Sequence, residues 1–324
     1  MITYSNPLHT TLAHYVRELE ETLSRSGTPF AVSPTAVVEG IPGAAGKVRM
    51  MLNALSNVRS IRRTATHSNL QVWPSLGLAE IPLWHRSHGN RHFVILHDPV
   101  PLRRQFGFDP VSRWIAAHDD GPRSAVVVVH SEHAEQEARK LLPRHDLVTL
   151  PHPVLSGNPA GAVKNRTVVV AGQYKPERDI GLLRELGPRL AEIGLTGHIR
   201  GRGWPGDLAG WTIVDSFVTE PDFDRLLAEA AVVLHPYRTY FQSNVAVRAL
   251  ELGTLSVLPL NSFSADLFAG QAGLLYDQPS AATVLRALEY ATTAQIDPAA
   301  MLGAYRTFVD GAWARAPWVE TPRS

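Results

Sequence analysis

The chain has 324 residues with 31 basic and 30 acidic side chains, no cysteine and 44% hydrophobic residues. That length suggests two domains of ordinary size, each with its own core. A net charge of +1 excludes a global nucleic-acid footprint, and the lack of cysteine excludes disulfides and thiolate zinc sites and points to the cytoplasm.

Met1 leads directly into "ITYS", so no signal peptide is expected. No apolar run approaches the roughly 18–20 residues of a membrane span. The chain then alternates. "MITYS" reads as a strand and "HTTLAHYVRELEETLSRSG" as a helix ended by Gly27 and capped at Thr10 or Thr11. "PFAVS" is a second strand, and "GKVRMMLNALSNVRSIRR" an amphipathic helix. "NLQVWP", "HFVILHDP", "SAVVVVHS" and "DLVTLP" are short apolar strands, with helices "VSRWIAAH" and "EHAEQEARKLL" among them. Apolar runs bounded by turns and separated by helices indicate βαβ units and parallel sheets.

The Gly- and Pro-rich stretch "HPVLSGNPAGAVKNR" reads as a linker, after which the pattern restarts. Strand "TVVVAG", helix "GLLRELGPRLAEIG", strands "TGHIRG" and "WTIVDSF", and helix "PDFDRLLAEA" follow. Strand "AVVLHPY", helix "NVAVRALELG", strand "LSVLPL", helix "SADLFAG", strand "GLLYD" and helix "AATVLRALEYATTA" come next, and a final helix has no strand after it. The expected fold is α/β, with two doubly wound Rossmann-like domains facing a cleft. Residues 1–160 would form one, residues 161–296 the other, and residues 297–324 a helix returning to the first. Ligands of such folds sit at the carboxyl ends of strands.

Two stretches carry candidate chemistry. In "HPYRTYFQSNVAVRALELG" a strand ends near Tyr237 and a helix opens at Asn244 behind Ser243. Free N–H groups at such a helix start attract anions, and Ser243 can cap the helix or donate to a phosphate oxygen. Glu251 lies roughly 12 Å along that helix, the distance from a diphosphate to a ribose diol. A simple cap with a solvent-facing glutamate fits the same residues. In "VVVAGQYKPERDIGLL" a strand ends in Gly172 and a loop brings Lys175 and Arg178, which would close a phosphate site from the opposite side.

These residues resemble the retaining glycosyltransferases of the GT-B fold, family 4 in particular. "AGQYKPERDIGLL" is similar to their G-R-x(4)-K-G-x(3)-L segment, and "SNVAVRALELGTLSVLP" to their E-x(7)-E segment. "FVILHDP" and "VVVVHSEHAEQEARKLL" resemble their "HD" and "SE" strand ends, and "DSFVTEPDFDRLLAEAAVVLHPY" the stretch before the diphosphate helix. The resemblance covers most of residues 90–290 in order.

It implies a nucleotide-diphosphate sugar of the UDP or GDP type, no cofactor and no metal. Gly172 is then the turn glycine, Arg178 stands for the phosphate-binding lysine and Glu251 for the ribose ligand. His97 stands for the histidine lining the donor sugar and reaction centre, and Asn244 and Val245 offer backbone N–H groups to the diphosphate. Gln173 replaces an arginine, a charge Lys175 can restore. Ser243 replaces the first glutamate, which leaves the sugar open. Asn6 and His9 occupy the place of a Gly-rich loop near the donor phosphates and acceptor, where an Asn-Pro turn feeding a helix fits equally. Besides a transferase, a binding-only relative or partner subunit and a nucleotide-sugar 2-epimerase stay open.

Two features concern partners. Eleven of the 14 histidines precede residue 150, and "WHRSHGNRH" reads as an exposed loop or acceptor rim rather than a metal site. Residues 46–63 carry Lys47, Arg49, Arg59, Arg62 and Arg63 beside Met50, Met51, Leu52 and Leu55, a pattern suited to an anionic membrane surface. Residues 1–150 hold 16 basic and 13 acidic side chains, the remainder 15 and 17, which would turn the acceptor half toward such a surface. The acceptor would be a glycan, a lipid-linked glycan or a small molecule.

Overall fold

The computed structural model describes residues 1–38, 43–64, 67–86, 89–103, 105–157 and 162–319. Ser87 and His88 of the histidine-rich stretch, residues 158–161 of the Gly- and Pro-rich stretch, residues 320–324 and the side chain of Lys47 lie outside the described residues. Two compact units are present, one of residues 1–153 with 308–324 and one of residues 154–307.

Unit 1 runs β1 (Ile2–Ser5), α1 (Ala13–Arg25), β2 (Phe30–Val32), α2 (Gly43–Thr64), β3 (Ser68–Gln71), β4 (His92–Ile95), α3 (Pro110–His118), β5 (Val126–Val129), α4 (Glu132–Leu141) and β6 (Leu147–Thr149). Its six strands pair in parallel in the order β2-β1-β3-β4-β5-β6. The four valines of β5 are buried on both faces, as a central parallel strand requires. Two local expectations need correction. Helix α1 opens later than Thr10 or Thr11, with Leu12 at its N-cap and no side-chain cap, because the Leu8–Leu12 segment first closes a turn through Leu12 N–H to Leu8 O (3.2 Å). His92 is not in an exposed loop. It lies in β4 fully buried, against Trp84 (5.6 Å between ring centroids), because the strand takes in the end of that stretch.

Unit 2 runs β7 (Thr167–Ala171), α5 (Ile180–Leu186), β8 (Thr196–Arg200), β9 (Trp211–Val214), α6 (Glu220–Glu229), β10 (Val232–Leu234), α7 (Asn244–Glu251), β11 (Ser256–Pro259), α8 (Ser262–Leu267), β12 (Leu275–Tyr276) and α9 (Ala281–Thr293); α10 (Pro298–Trp313) begins in this unit and ends in unit 1. Its strands are also all parallel, in the order β12-β11-β10-β7-β8-β9. The single helix expected over residues 181–194 is divided. Helix α5 ends at Leu186 and a 3-10 turn covers Gly187–Ile193, since Pro188 lacks an N–H and Gly187 lies where a Cβ would meet Ala209 O at 2.1 Å.

The chain leaves β7 toward β8 and β9, then returns to β7's other side for β10, β11 and β12. The reversal between β7 and β10 is a topological switch point, where the loops at the strands' carboxyl ends diverge and leave a crevice.

Several histidines are buried in neutral form. Burial pushes His92 down to about 4, and His152 and His235 to about 3; His130 lies well below its ordinary value for the same reason. A histidine whose folded pKa is lowered gives stability that is present above about 6.5 and lost as pH falls toward the folded value, at about 1.4 kcal/mol per pH unit for each group. Buried Glu80, raised to about 7 by desolvation, works the other way, but it is one group against four. The melting midpoint should therefore fall steadily from pH 6.5 to 4. A flat or rising midpoint over that range would contradict the buried, neutral assignment.

Candidate functional site

The site is built where β7 and β10 part. Strand β7 ends in Gly172, which adopts φ +94°, and a Cβ there would stand 3.2 Å from the Arg178 guanidinium. The backbone angle calls for glycine. Gly172 N–H donates to Arg200 O (2.8 Å), Tyr174 N–H to Arg202 O (2.9 Å) and the Trp204 indole to Gly172 O (2.9 Å). These bonds join the loops after β7 and β8. A second set joins the loops after β7 and β10: Asp179 N–H to Pro236 O (2.6 Å) and Arg238 N–H to Glu177 O (2.9 Å), with a bridge between Arg178 and Tyr237.

Arg178 is held between these loops, only 4% exposed. Its guanidinium lies 4.8 Å from the Trp204 ring and 5.0 Å from the Tyr237 ring, and Nη2 donates to Ala171 O (2.7 Å). Nε has no hydrogen-bond partner, and no carboxylate among the described residues pairs with the charge. Burial pulls its pKa down, opposed by Tyr237. Arg248 is also buried but differs electrically: it pairs with Glu220 (2.7 Å) and Asp224 (2.6 Å). Arg178 is thus a cation at a switch point without an anion. A buried charge of that kind costs several kcal/mol unless a counter-charge arrives.

The helix start faces the same crevice. Ser243 caps α7, its Oγ accepting from Ala246 N (3.3 Å), and also meets His235 Nδ1 at 3.3 Å. His235 in turn meets Ser256 Oγ at 3.3 Å and stays neutral. Asn244 and Val245 line a cavity of about 260 Å³ with Gly172, Gln173, Arg202 and Phe217. Phe217 is 70% exposed and carries the Arg202 guanidinium at 5.6 Å, a flat cation–π pair at the cavity.

Gly172, Gln173, Asn244 and Val245 thus come together in one cavity, while Arg178, Lys175, Ser243 and Glu251 do not line it. Arg178 adjoins the lining at Gly172, where a Cβ would stand 3.2 Å from its guanidinium, and Ser243 directly precedes Asn244. Lys175 is half-buried in the same loop, its carbonyl accepting from Arg178 N–H (3.0 Å). Glu251 is not solvent-facing. It is 3% exposed, and one oxygen accepts from Leu155 N–H at 2.7 Å. Arg202, Phe217, Trp204, Tyr237 and His235 were not singled out from sequence. For Arg202 and Trp204 the signal was the alternation Arg200-Gly201-Arg202-Gly203 at a strand's carboxyl end, where Gly201 (φ +146°) lets two backbones meet: a Cβ would stand 2.2 Å from Gly172 O.

In unit 1, Asn6 closes a turn on itself, its Oδ1 accepting from Leu8 N–H (3.0 Å), and His9 is exposed. His97 follows β4 and is buried, its Nε2 3.0 Å from Val72 O and its ring stacked on Trp73 (5.5 Å).

No protein-family model and no curated protein matches the sequence. The fold is nevertheless that of solved GT-B glycosyltransferases. HepE from Anabaena, a structure in complex with UDP and glucose, shares 10% identity at TM-score 0.59 over 97% of this chain and 95% of its own. Sucrose-phosphate synthase from Thermosynechococcus elongatus shares 13% at TM-score 0.62, over 97% and 95%. TarM shares 12% at TM-score 0.55 over 81% of this chain, which spans 55% of the TarM chain.

Proposed function

We propose that this GT-B-fold chain is a retaining glycosyltransferase that takes its sugar from a nucleoside diphosphate held by unit 2. The observation that carries the reading is Arg178, a buried cation with no carboxylate partner among the described residues, at the switch point where α7 also begins. A diphosphate supplies the missing counter-charge, and the helix N–H groups add to it. A structural neighbour supports the reading: HepE was captured with UDP and glucose.

In this reading the glycosidic bond to the diphosphate breaks as C1 bonds the acceptor oxygen on the same face. The acceptor's proton passes to the departing phosphate oxygen. Arg178, Lys175 and the α7 N-terminus neutralise charge growing on the leaving diphosphate, which is electrostatic stabilisation by groups already in place. Glu251 would read the ribose, His97 would meet the donor sugar, and unit 1, with Asn6 and His9, would serve the acceptor.

The test is incubation of the full chain with UDP-glucose, UDP-N-acetylglucosamine and GDP-mannose, following nucleotide release with and without EDTA. Release of UDP or GDP that persists in EDTA is the expected result. Release abolished by EDTA and restored by manganese would contradict metal independence. A binding-only protein is the second reading, favoured by Ser243, whose hydroxyl is engaged as a helix cap and with His235 where a carboxylate was expected. Tight UDP binding with no release from any donor would establish it.

The membrane reading of α2 is carried by its outward face. The helix seats Ala54, Val58 and Ile61 inward. Val48, Leu52 and Leu55 are exposed on it together with Arg49, Arg59 and Arg63, and it has no acidic residue. Among the described residues, no helix is long and apolar enough to cross a membrane. Such a face would lodge its apolar side chains among acyl chains and its arginines among anionic headgroups, each arginine adding on the order of 1 kcal/mol. Cosedimentation with phosphatidylserine vesicles should fade with salt and be lost in the Arg59→Glu/Arg63→Glu variant. Protein left in the supernatant at low salt would exclude the contact.

A further inference from the structure

Three consecutive strands of unit 1 each deliver a histidine just past their carboxyl ends: His97 after β4, His130 after β5 and His152 after β6. All three are buried, and all three converge on one ring, Tyr15 of α1. Tyr15 meets His97 edge-on at 4.7 Å and 79°, and His152 edge-on at 5.2 Å and 87°. Its hydroxyl lies 2.7 Å from His130 Nε2. None of Tyr15, His130 and His152 has a part in the transfer chemistry described above.

The carbonyl partners fix the direction of each bond. His130 Nδ1 lies 2.9 Å from Leu150 O, and a carbonyl can only accept, so Nδ1 carries a proton. Burial, with His152 and His97 nearby, keeps this ring neutral. Its Nε2 is then a lone pair, and the Tyr15 hydroxyl must be the donor. The tyrosine ring is thereby held at both ends, by its backbone on α1 and by a buried hydrogen bond. His97 Nε2 likewise donates to Val72 O, with Trp73 stacked on its face at 28° and Tyr15 set across it at 79°. The imidazole is therefore confined by a carbonyl, by a stacked indole and by a crossed aromatic ring that another residue locks.

We propose that Tyr15 is a positioning residue for His97, and that its hydrogen bond to His130 is what keeps His97 in one orientation toward the substrate. The proposal rests on the reading in which His97 meets the donor sugar. The cluster's geometry is independent of that reading, so the two are tested separately.

The first experiment is a long-range proton–nitrogen correlation spectrum of the full chain with ¹⁵N-labelled histidine near neutral pH. The wild type should show His130 as the Nδ1–H tautomer and His97 with its proton on Nε2. Tyr15→Phe, which keeps the ring and removes the donor, should shift and broaden the His97 signals. His130→Gln, whose amide oxygen still accepts, should leave them close to wild type, and His130→Leu should behave as Tyr15→Phe. The opposite tautomer of His130 in the wild type, or His97 signals unchanged in Tyr15→Phe, overturns the proposal. The wild-type spectrum tests the direction of the hydrogen bond even if one variant fails to fold, and His130→Leu gives a second way to remove that bond.

The second experiment follows UDP release from UDP-glucose. Tyr15→Phe and His130→Leu should each lower kcat by about tenfold, with KM within about twofold, whereas His130→Gln should keep most of the wild-type rate. A thermal midpoint lowered with kcat unchanged would make Tyr15 merely structural. If His97→Ala turns over normally, the assignment of His97 fails. If His97→Ala is dead and Tyr15→Phe is normal, only the positioning role fails.

Discussion

Exchanging Arg178 for methionine should weaken UDP binding by about tenfold or more while leaving the ligand-free protein at least as stable as before. A charge-assisted contact to phosphate is worth about 1.5–3 kcal/mol, which sets the loss in affinity. Stability should respond in the opposite sense because the free protein buries this guanidinium without a carboxylate partner and with Nε unbonded. Methionine keeps a long stem and a polarisable atom between Trp204 and Tyr237, and it removes a desolvated charge. Calorimetry with UDP and a melting curve without it are the two measurements. An unchanged dissociation constant would remove Arg178 from the phosphate site. Lower affinity together with a collapsed melting midpoint would mean that the arginine mainly holds the two loops together.

That opposition between binding and stability is why the residue's character is hidden in sequence. In "QYKPERD" an arginine among lysine, glutamate and aspartate reads as a solvated loop charge. Its burial depends on two aromatic residues from other loops, Trp204 after β8 and Tyr237 after β10, which only the sheet's strand order brings to it. The strands themselves were legible, because runs such as Val126–Val129 and Thr167–Ala171 are apolar, β-branched and bounded by turns. Their order was not, since pairing is a long-range property and β10 reaches β7 past β8 and β9. The switch point, and with it the reason for the site's location, therefore came from the structure.

The histidines show a similar division. His97 was legible through "HD" after a strand, yet "HS" at His130 and "HP" at His152 stand at equivalent places and were passed over. A polar aromatic residue repeated just past successive parallel strands marks side chains that share one end of the sheet, a signal as usable as periodicity within a strand. Tyr15 carried no such mark. It sits on the inward face of α1 with Leu19 and Leu23, where an aromatic at helical spacing reads as plain core.

Glu251 offers the second large effect, because the proposed ribose role and an observed structural one fall on one carboxylate. As the ribose ligand it would accept from the 2′- and 3′-hydroxyls, yet in the folded chain it is buried and accepts from Leu155 N–H at 2.7 Å. The two roles separate on substitution. Glu251→Ala removes both, and the unsatisfied N–H costs about 1–3 kcal/mol, a fall of several degrees in the melting midpoint of a unit this size. Glu251→Gln keeps an oxygen for Leu155 but exchanges a charged acceptor for a neutral amide. Glutamine should therefore melt near the wild type yet bind UDP about fivefold or more weakly, since hydrogen bonds to a charged acceptor are roughly twice as strong as neutral ones. Binding of 2′,3′-dideoxy-UDP should be nearly the same in wild type and in Glu251→Gln, because the hydroxyls that the carboxylate reads are gone. If glutamine binds UDP as tightly as glutamate does, or if UDP and its dideoxy analogue lose affinity equally, Glu251 serves only to fasten the Leu155 backbone to the end of α7, and the ribose must be held elsewhere on unit 2.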